Sequence, residues 1–133
     1  MLGSCLCGQI KYEVARFHPE ITNCHCQVCR KFHGTTFATY GAVQSQDFRW
    51  LEGQTLLSTY QSSPAAERGF CKYCGSSLYY KFLGQDDQIE IAIGTLDDEP
   101  SRSVDNSIFC SSRPLWSICN KDIPEYPEWG PST

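Results

Sequence analysis

The clearest chemical signal in this chain is a short stretch that contains three cysteines, Cys24, Cys26 and Cys29. In an extended segment side chains alternate between faces, so the first two sulfurs project to the same side. A turn after Cys26 would bring the third sulfur beside them. Three converging thiolates suit a zinc ion, and three protein ligands leave a fourth position open, as in a catalytic site. The alternative is that a distant residue fills that position and the metal only supports the fold.

Two further cysteine pairs have the spacing of metal ligands. They are Cys5-x-Cys7, followed by a glycine, and Cys71-x-x-Cys74, also followed by a glycine. Together they supply four thiolates, enough for a closed tetrahedral zinc site that would clip the first strand to the middle of the chain. A competing partition pairs Cys24/Cys26 or Cys26/Cys29 with Cys71 and Cys74, and spacing alone leaves both partitions open.

The chain has nine cysteines, which favours metal binding over a disulfide framework. The count is odd, the cysteines cluster in close pairs, and the first residues lack the basic and apolar regions of a signal peptide. We therefore expect two zinc ions per chain and a cytoplasmic location. Cys110 and Cys119 remain outside both clusters and are interpreted as small buried hydrophobic residues.

Four residues near the three-cysteine stretch or late in the chain are candidates for other roles. His33 lies one helical turn after Cys29, so it could reach the open metal position or relay a proton, although it could equally be an exposed or capping histidine. His25 should point away from the metal and serve as a structural hydrogen-bonding group. Arg30 and Arg113 could hold a substrate carboxylate, or they could simply be solvated surface charges.

Length and charge limit the class of protein. The 133 residues predict one domain, residues 1–133. The net charge of −4 and the pI near 5.3 argue against a nucleic-acid or anionic-membrane partner, because there is no basic surplus to bind phosphates. No apolar run approaches the length of a membrane span. The sequence leaves the oligomeric state open.

The hydrophobic pattern predicts a mostly-β domain. Period-two alternation at Ile10, Tyr12 and Val14 is typical of a strand with one buried face. About eight short strands separated by glycine, proline and serine turns fit a sandwich of antiparallel sheets or an open barrel. The sequence also predicts a strand break at His18-Pro19. Short helical turns are expected at residues 30–34 and 116–119.

These motifs, taken together, resemble the glutathione-dependent formaldehyde-activating enzyme family. Two positions differ from the pattern common in that family: Ser107 stands where members often have a histidine, and Arg113 where they often have a lysine. The resemblance runs along nearly the whole chain and rests on residues 3–8, 24–30, 60, 62–63, 68–78, 94–97, 116 and 123–126.

The resemblance implies a zinc-containing β-tent fold, with a structural zinc at Cys5, Cys7, Cys71 and Cys74. Cys24, Cys26 and Cys29 would then belong to a catalytic zinc. The implied activity adds glutathione to formaldehyde to give S-(hydroxymethyl)glutathione, formally a carbon–sulfur lyase reaction run in reverse. The expected partners are thus a small thiol, for which glutathione is the candidate, and a small aldehyde, or the adduct of the two. The alternatives are a non-enzymatic zinc-stabilised binding or chaperone-like module and a thiol-redox protein.

Overall fold

The computed structural model describes residues 1–118 and 121–131, which form two β-sheets and one short α-helix. The helix, α1, spans Gln27–His33 and ends at Gly34 in a left-handed C-cap, so it begins three residues before the helical turn expected at residues 30–34. The strands are β1 (Leu2–Ser4), β2 (Lys11–Val14), β3 (His18–Cys24), β4 (Ala38–Gln44), β5 (Phe48–Glu52), β6 (Leu57–Ser63), β7 (Ala66–Cys71), β8 (Ser77–Phe82), β9 (Gln88–Ala92) and β10 (Asn106–Ile108).

The two sheets differ in size and neither closes into a barrel. The smaller one has three antiparallel strands in the order β1-β2-β5. The larger one has seven strands in the order β10-β3-β4-β9-β8-β7-β6, and β10 runs parallel to β3 while the other neighbours are antiparallel. The predicted mostly-β architecture of two sheets is therefore confirmed. No helix in the described part of the chain is long and apolar enough to cross a membrane.

The main hydrophobic core lies between the two sheets. Tyr12 and Val14 of the smaller sheet pack with Val43, Tyr79 and Ile91 of the larger sheet in one buried cluster. Side chains alternate across a strand, so the neighbours of these core residues project to the opposite face of the larger sheet. That second face is covered by α1 and by the C-terminal segment, and it carries the candidate site.

Two tyrosines cover glycines on the neighbouring strand. Tyr12 is paired with Gly3 across β1 and β2, and Tyr79 is paired with Gly69 across β7 and β8. A Cβ atom at Gly3 would lie 2.1 Å from the Tyr12 ring, and one at Gly69 would lie 2.0 Å from the Tyr79 ring. An aromatic ring over a cross-strand glycine holds the two strands in register.

The structure corrects three sequence-based predictions. His18-Pro19 does not break a strand but begins β3, where a bulge before Ile21 accommodates the proline. β1 and β7 were not predicted as strands, and β7 lacks the expected alternation because its Arg68 is buried. Residues 114–117 form a turn without helix, and Cys119 lies outside the described residues.

We expect Gly69→Ala to lower the free energy of unfolding by about 1–3 kcal/mol, because the added methyl must displace the Tyr79 ring. Gly94→Ala is the matched control, since a Cβ there meets no atom within 4 Å. Urea unfolding of both variants measures the difference. Equal stability of the two variants would show that the ring over Gly69 is not tightly packed.

Candidate metal centres

Four thiols meet at one end of the molecule. The sulfur atoms of Cys5, Cys7, Cys71 and Cys74 all lie within 4.8 Å of one another. The Cys5 and Cys7 sulfurs are 3.4 Å apart, and those of Cys7 and Cys71 are 3.9 Å apart. Zinc–sulfur bonds of about 2.3 Å in a tetrahedron would separate the sulfurs by about 3.8 Å. The donor set and its spacing therefore fit a closed zinc site.

Two similar backbone turns shape this cluster. The Gly8 N–H donates to the Cys5 carbonyl at 2.9 Å, and the Gly75 N–H donates to the Cys71 carbonyl at 2.8 Å. Both glycines have positive φ, +76° and +77°, a conformation that favours glycine at the turn. The Ile10 N–H also donates to the Cys5 sulfur at 3.3 Å. Each turn thus aims its sulfurs toward the same point.

The second group contains three thiols, those of Cys24, Cys26 and Cys29, also within 4.8 Å of one another. Cys24 ends β3, Cys26 is the N-cap of α1, and Cys29 lies in the first turn of that helix. The Cys29 N–H donates to the Cys26 sulfur at 3.3 Å. Among the described residues no fourth His, Cys, Asp or Glu joins this group. The structure thus brings the cysteines together as four and three, not in the competing partition.

The pKa values of the three thiols are shifted in different directions. Hydrogen bonds with Cys24 and Cys29 lower the pKa of Cys26, to about 2. The hydrogen bond with Cys26 is also the main reason that the pKa of Cys24 is raised. The group therefore carries negative charge on sulfur before any metal binds, which is the form that binds zinc.

A buried arginine that the sequence analysis did not single out contacts this group. Arg68 of β7 is only 6% exposed, and its Nη1 donates to the Cys29 sulfur at 3.5 Å and to the Tyr40 hydroxyl at 3.2 Å. Its Nε donates to the Ser62 hydroxyl at 3.1 Å. Burial alone would lower the pKa of Arg68, but its interactions with Cys29 and Tyr40 raise it, so the side chain stays cationic.

No carboxylate pairs with Arg68 within the described ranges. Its guanidinium instead lies between two aromatic rings, 5.6 Å from the centre of Phe32 and 5.2 Å from that of Tyr80. A buried cation requires a compensating negative charge. The anionic sulfur group provides it, so the arginine and the three cysteines form one electrostatic unit.

His33 belongs to the same hydrogen-bonded chain but does not reach the sulfurs. Its Nε2 lies 2.5 Å from the hydroxyl of Tyr40, which in turn accepts from Arg68. Burial, aided by the charge of Arg68, lowers the pKa of His33 to about 4, so its ring is neutral near pH 7. Burial likewise raises the pKa of Tyr40, which stays protonated. A direct role of His33 toward substrate stays a prediction.

The structure places Arg30 on α1 and Arg113 after β10, and both lie near enough to His25 to affect its charge. Arg113 forms an ion pair of 2.7 Å with Glu125, so part of its charge is already balanced. The Arg30 Nε atom is buried and has no hydrogen-bond partner among the described residues. Both arginines lower the pKa of His25, after the larger effect of its burial. Their expected contact with a substrate carboxylate stays a prediction.

His25 points away from the sulfur group, as alternation along the chain suggests. Its backbone N–H donates to the Ile108 carbonyl at 3.0 Å, and its ring packs against Phe37 at 5.1 Å. The ring Nδ1 lies 4.0 Å from the sulfur of Cys110, which is half-buried. His25 therefore links the start of the helix to β10.

A cavity of about 270 Å³ opens beside Cys24 on the same face of the larger sheet. It extends along β3, β4, β9 and β10 and is bounded by part of the C-terminal segment. Glu90 and Asn106 of this cavity, like Arg68, come from strands far along the chain from the three-cysteine stretch, which gave no local signal for them. The lining residues are His18, Pro19, Glu20, Thr22, Cys24, Tyr40, Ala42, Tyr80, Gln88, Glu90, Asn106, Ile108, Trp129 and Gly130.

The fold and the site together define a class of protein: a two-sheet β domain with one four-thiol and one three-thiol group. The family model described as glutathione-dependent formaldehyde-activating enzyme matches residues 1–112. The chain belongs to this family, which confirms the resemblance seen in the sequence.

Individual relatives share part of the sequence. An uncharacterized lyase of Schizosaccharomyces pombe is 34% identical over 80 residues, which is 60% of this chain and 56% of that protein. A Halomonas elongata protein provisionally named a glutathione-dependent formaldehyde-activating enzyme is 32% identical over 83 residues, 58% of this chain and 53% of its own. The chain therefore spans about half the length of the curated relatives that it matches.

A solved structure supports the fold independently. The crystal structure of a Rhodobacter sphaeroides protein superposes with a TM-score of 0.64 at 24% identity. The match covers 77% of this chain and 93% of that protein. At this level of identity the likeness establishes the shared fold alone.

We expect the partly buried His33 to make the protein less stable in acid. Its folded pKa of about 4 lies below its unfolded value of about 6.5, so below pH 6.5 the unfolded chain takes up a proton that the folded chain does not. Between about pH 7 and about pH 5.5, the wild type should lose about 1 kcal/mol more free energy of unfolding than His33→Gln.

Urea unfolding at the two pH values measures this difference. Both proteins keep the same cysteines, so loss of metal in acid affects them alike and cancels in the comparison. Parallel pH profiles for the wild type and the variant would contradict a partly buried neutral histidine.

Proposed function

We propose that this protein is a zinc-dependent enzyme of the carbon–sulfur lyase type. It joins a thiol such as glutathione to a small aldehyde such as formaldehyde, or cleaves their adduct. The observation that carries this proposal is the three-thiol group of Cys24, Cys26 and Cys29, which lacks a fourth ligand among the described residues and opens on a cavity. Family membership and the names of the relatives support the same class of reaction.

The two thiol groups would have different tasks. Cys5, Cys7, Cys71 and Cys74 would hold a structural zinc with no open position. Cys24, Cys26 and Cys29 would hold a catalytic zinc. When bound there, zinc supplies Lewis-acid chemistry that lowers the pKa of a coordinated thiol and polarises a carbonyl oxygen.

The reaction balances without an oxidant or reductant. The thiol sulfur forms a bond to the aldehyde carbon, the carbonyl π bond breaks, and the thiol proton ends on the resulting oxygen; the lyase direction reverses these changes. Tyr40 lines the cavity and stays protonated, so its hydroxyl can donate a hydrogen bond to the developing alkoxide. Neutral His33 holds that hydroxyl in place.

Arg68 would balance the charge of the loaded site. Three thiolates and one dication sum to a single negative charge, which is costly to bury without a neighbouring cation. The guanidinium contacts the Cys29 sulfur and is fixed between two aromatic rings. It thus orients one sulfur and favours the thiolate form of the whole group.

Elemental analysis of the purified protein should find two zinc ions per chain. Cys26→Ser should remove one zinc and the activity while the domain stays folded, because the four-thiol group is intact. Cys71→Ser should unfold the domain, because it opens the closed site. One zinc in the wild type would favour a non-enzymatic module or a thiol-redox protein, and a well-folded Cys71→Ser would refute the structural role of its group.

We expect Arg68→Met to weaken zinc binding at the three-thiol group by about ten- to a hundredfold, because the Cys29 sulfur loses the hydrogen bond from the guanidinium. Arg68→Lys should recover part of the affinity, since it keeps the charge but not the planar contact. Titration with a competing chelator measures the affinity of each site. Loosening of both sites by the same factor would indicate a general loss of stability instead.

A further inference from the structure

We propose that the cavity beside Cys24 favours, over glutathione, a thiol that carries a positively charged amino group and no carboxylate. The inference rests on the proposed thiol chemistry at Cys24, Cys26 and Cys29 and specifies the substrate class for that site. The thiol would occupy the open position of the three-sulfur group, and the ammonium group would lie along β9 and β10.

The first observation is a carboxylate without a cation. Glu90 of β9 lines the cavity, and its Oε1 accepts a hydrogen bond of 2.8 Å from the Gln88 side-chain nitrogen. No Lys or Arg within residues 1–118 and 121–131 forms an ion pair with it. Burial raises the pKa of Glu90, which shows the cost of leaving this carboxylate uncompensated. A cation in the cavity would remove that cost.

The second observation is an acceptor without a donor. Asn106 of β10 is only 4% exposed, and its Nδ2 donates to a carboxylate oxygen of Glu20 at 2.9 Å. That bond leaves Asn106 Oδ1 buried, and no donor among the described residues reaches it. Buried polar atoms are normally hydrogen-bonded, so this oxygen indicates a missing partner that donates. Glu20, Glu90 and Asn106 all line the same cavity.

The composition of the lining points to the same ligand. It contains two carboxylates and Asn106 but neither lysine nor arginine, and its one histidine is His18. Such a surface attracts an ammonium group, which has three donors, and repels a carboxylate. Arg30 and Arg113, the candidates for binding a carboxylate, do not line it.

A metal ion fits these groups less well than an ammonium group does. In the described part of the chain, only the two cysteine groups bring three potential ligand atoms of His, Cys, Asp or Glu within 4.8 Å of one another. The cavity carboxylates are thus too dispersed to form such a group. Separate acceptors along a cavity instead suit a ligand that spans from a sulfur site to an ammonium site.

Calorimetric titration of the zinc-loaded protein near pH 7 tests the inference with three thiols: cysteamine, 3-mercaptopropionate and glutathione. Cysteamine should bind at least about tenfold more tightly than 3-mercaptopropionate, because a charge-assisted contact replaces a repulsive one. Glutathione, with two carboxylates, should also bind more weakly than cysteamine.

Glu90→Gln should reduce cysteamine affinity about tenfold and should not weaken binding of 3-mercaptopropionate. Glu67→Gln is the matched control. Glu67 is a partly buried carboxylate on β7, next to Arg68 and so on the opposite face, and it pairs with Lys81. This control should leave the affinities of both thiols unchanged.

The outcomes separate this inference from the proposed function. Equal binding of the three thiols, or tighter binding of 3-mercaptopropionate or glutathione, would overturn the cavity preference while thiol chemistry stands. If none of the three thiols binds, a titration with S-methylcysteamine tests the cavity separately from the metal. This compound keeps the ammonium group but has no thiol. Its binding, weakened by Glu90→Gln, would support the cavity and reject the enzyme; no binding would reject both.

Discussion

The two-sided character of the seven-stranded sheet is the constraint on which the rest of the structure depends. One face packs on the three-stranded sheet through Tyr79 and Ile91. Because strand side chains alternate, their neighbours Tyr80 and Glu90 must project to the other face. A shift of one residue in either strand would exchange core and site. The apolar core thus fixes where the polar side chains of the candidate site lie.

The four-thiol group secures this arrangement at one end. Cys5 follows β1 of the smaller sheet, whereas Cys71 ends β7 of the larger sheet. A metal held by both would join the two sheets and close a long loop of the chain. The three-thiol group is built differently, from the end of β3 and the first turn of α1. Its cysteines are local in sequence, so the loss of a metal there would not separate the sheets.

Spacing alone identified the cysteine clusters, but it left their partition open and did not reveal their surroundings. Short spacings such as Cys24-x-Cys26 are set by local backbone geometry, and the two turns that end in Gly8 and Gly75 follow directly from glycine's access to positive φ. Arg68 and Glu90, in contrast, reach the site through the register of β7, β8 and β9. Pairings between distant strands leave no local pattern, and a buried arginine makes its own strand look irregular.

Charge is distributed unevenly around the three sulfurs. Arg68 contacts Cys29 on one side, where Tyr40 and the aromatic rings surround it. Beyond Cys24, on the other side, the cavity presents Glu20 and Glu90. A molecule that extends from the sulfurs into this cavity therefore has the buried cation near one end and the carboxylates near the other. Such a field orients a dipolar ligand, with its anionic sulfur toward Arg68 and its cationic end toward the carboxylates.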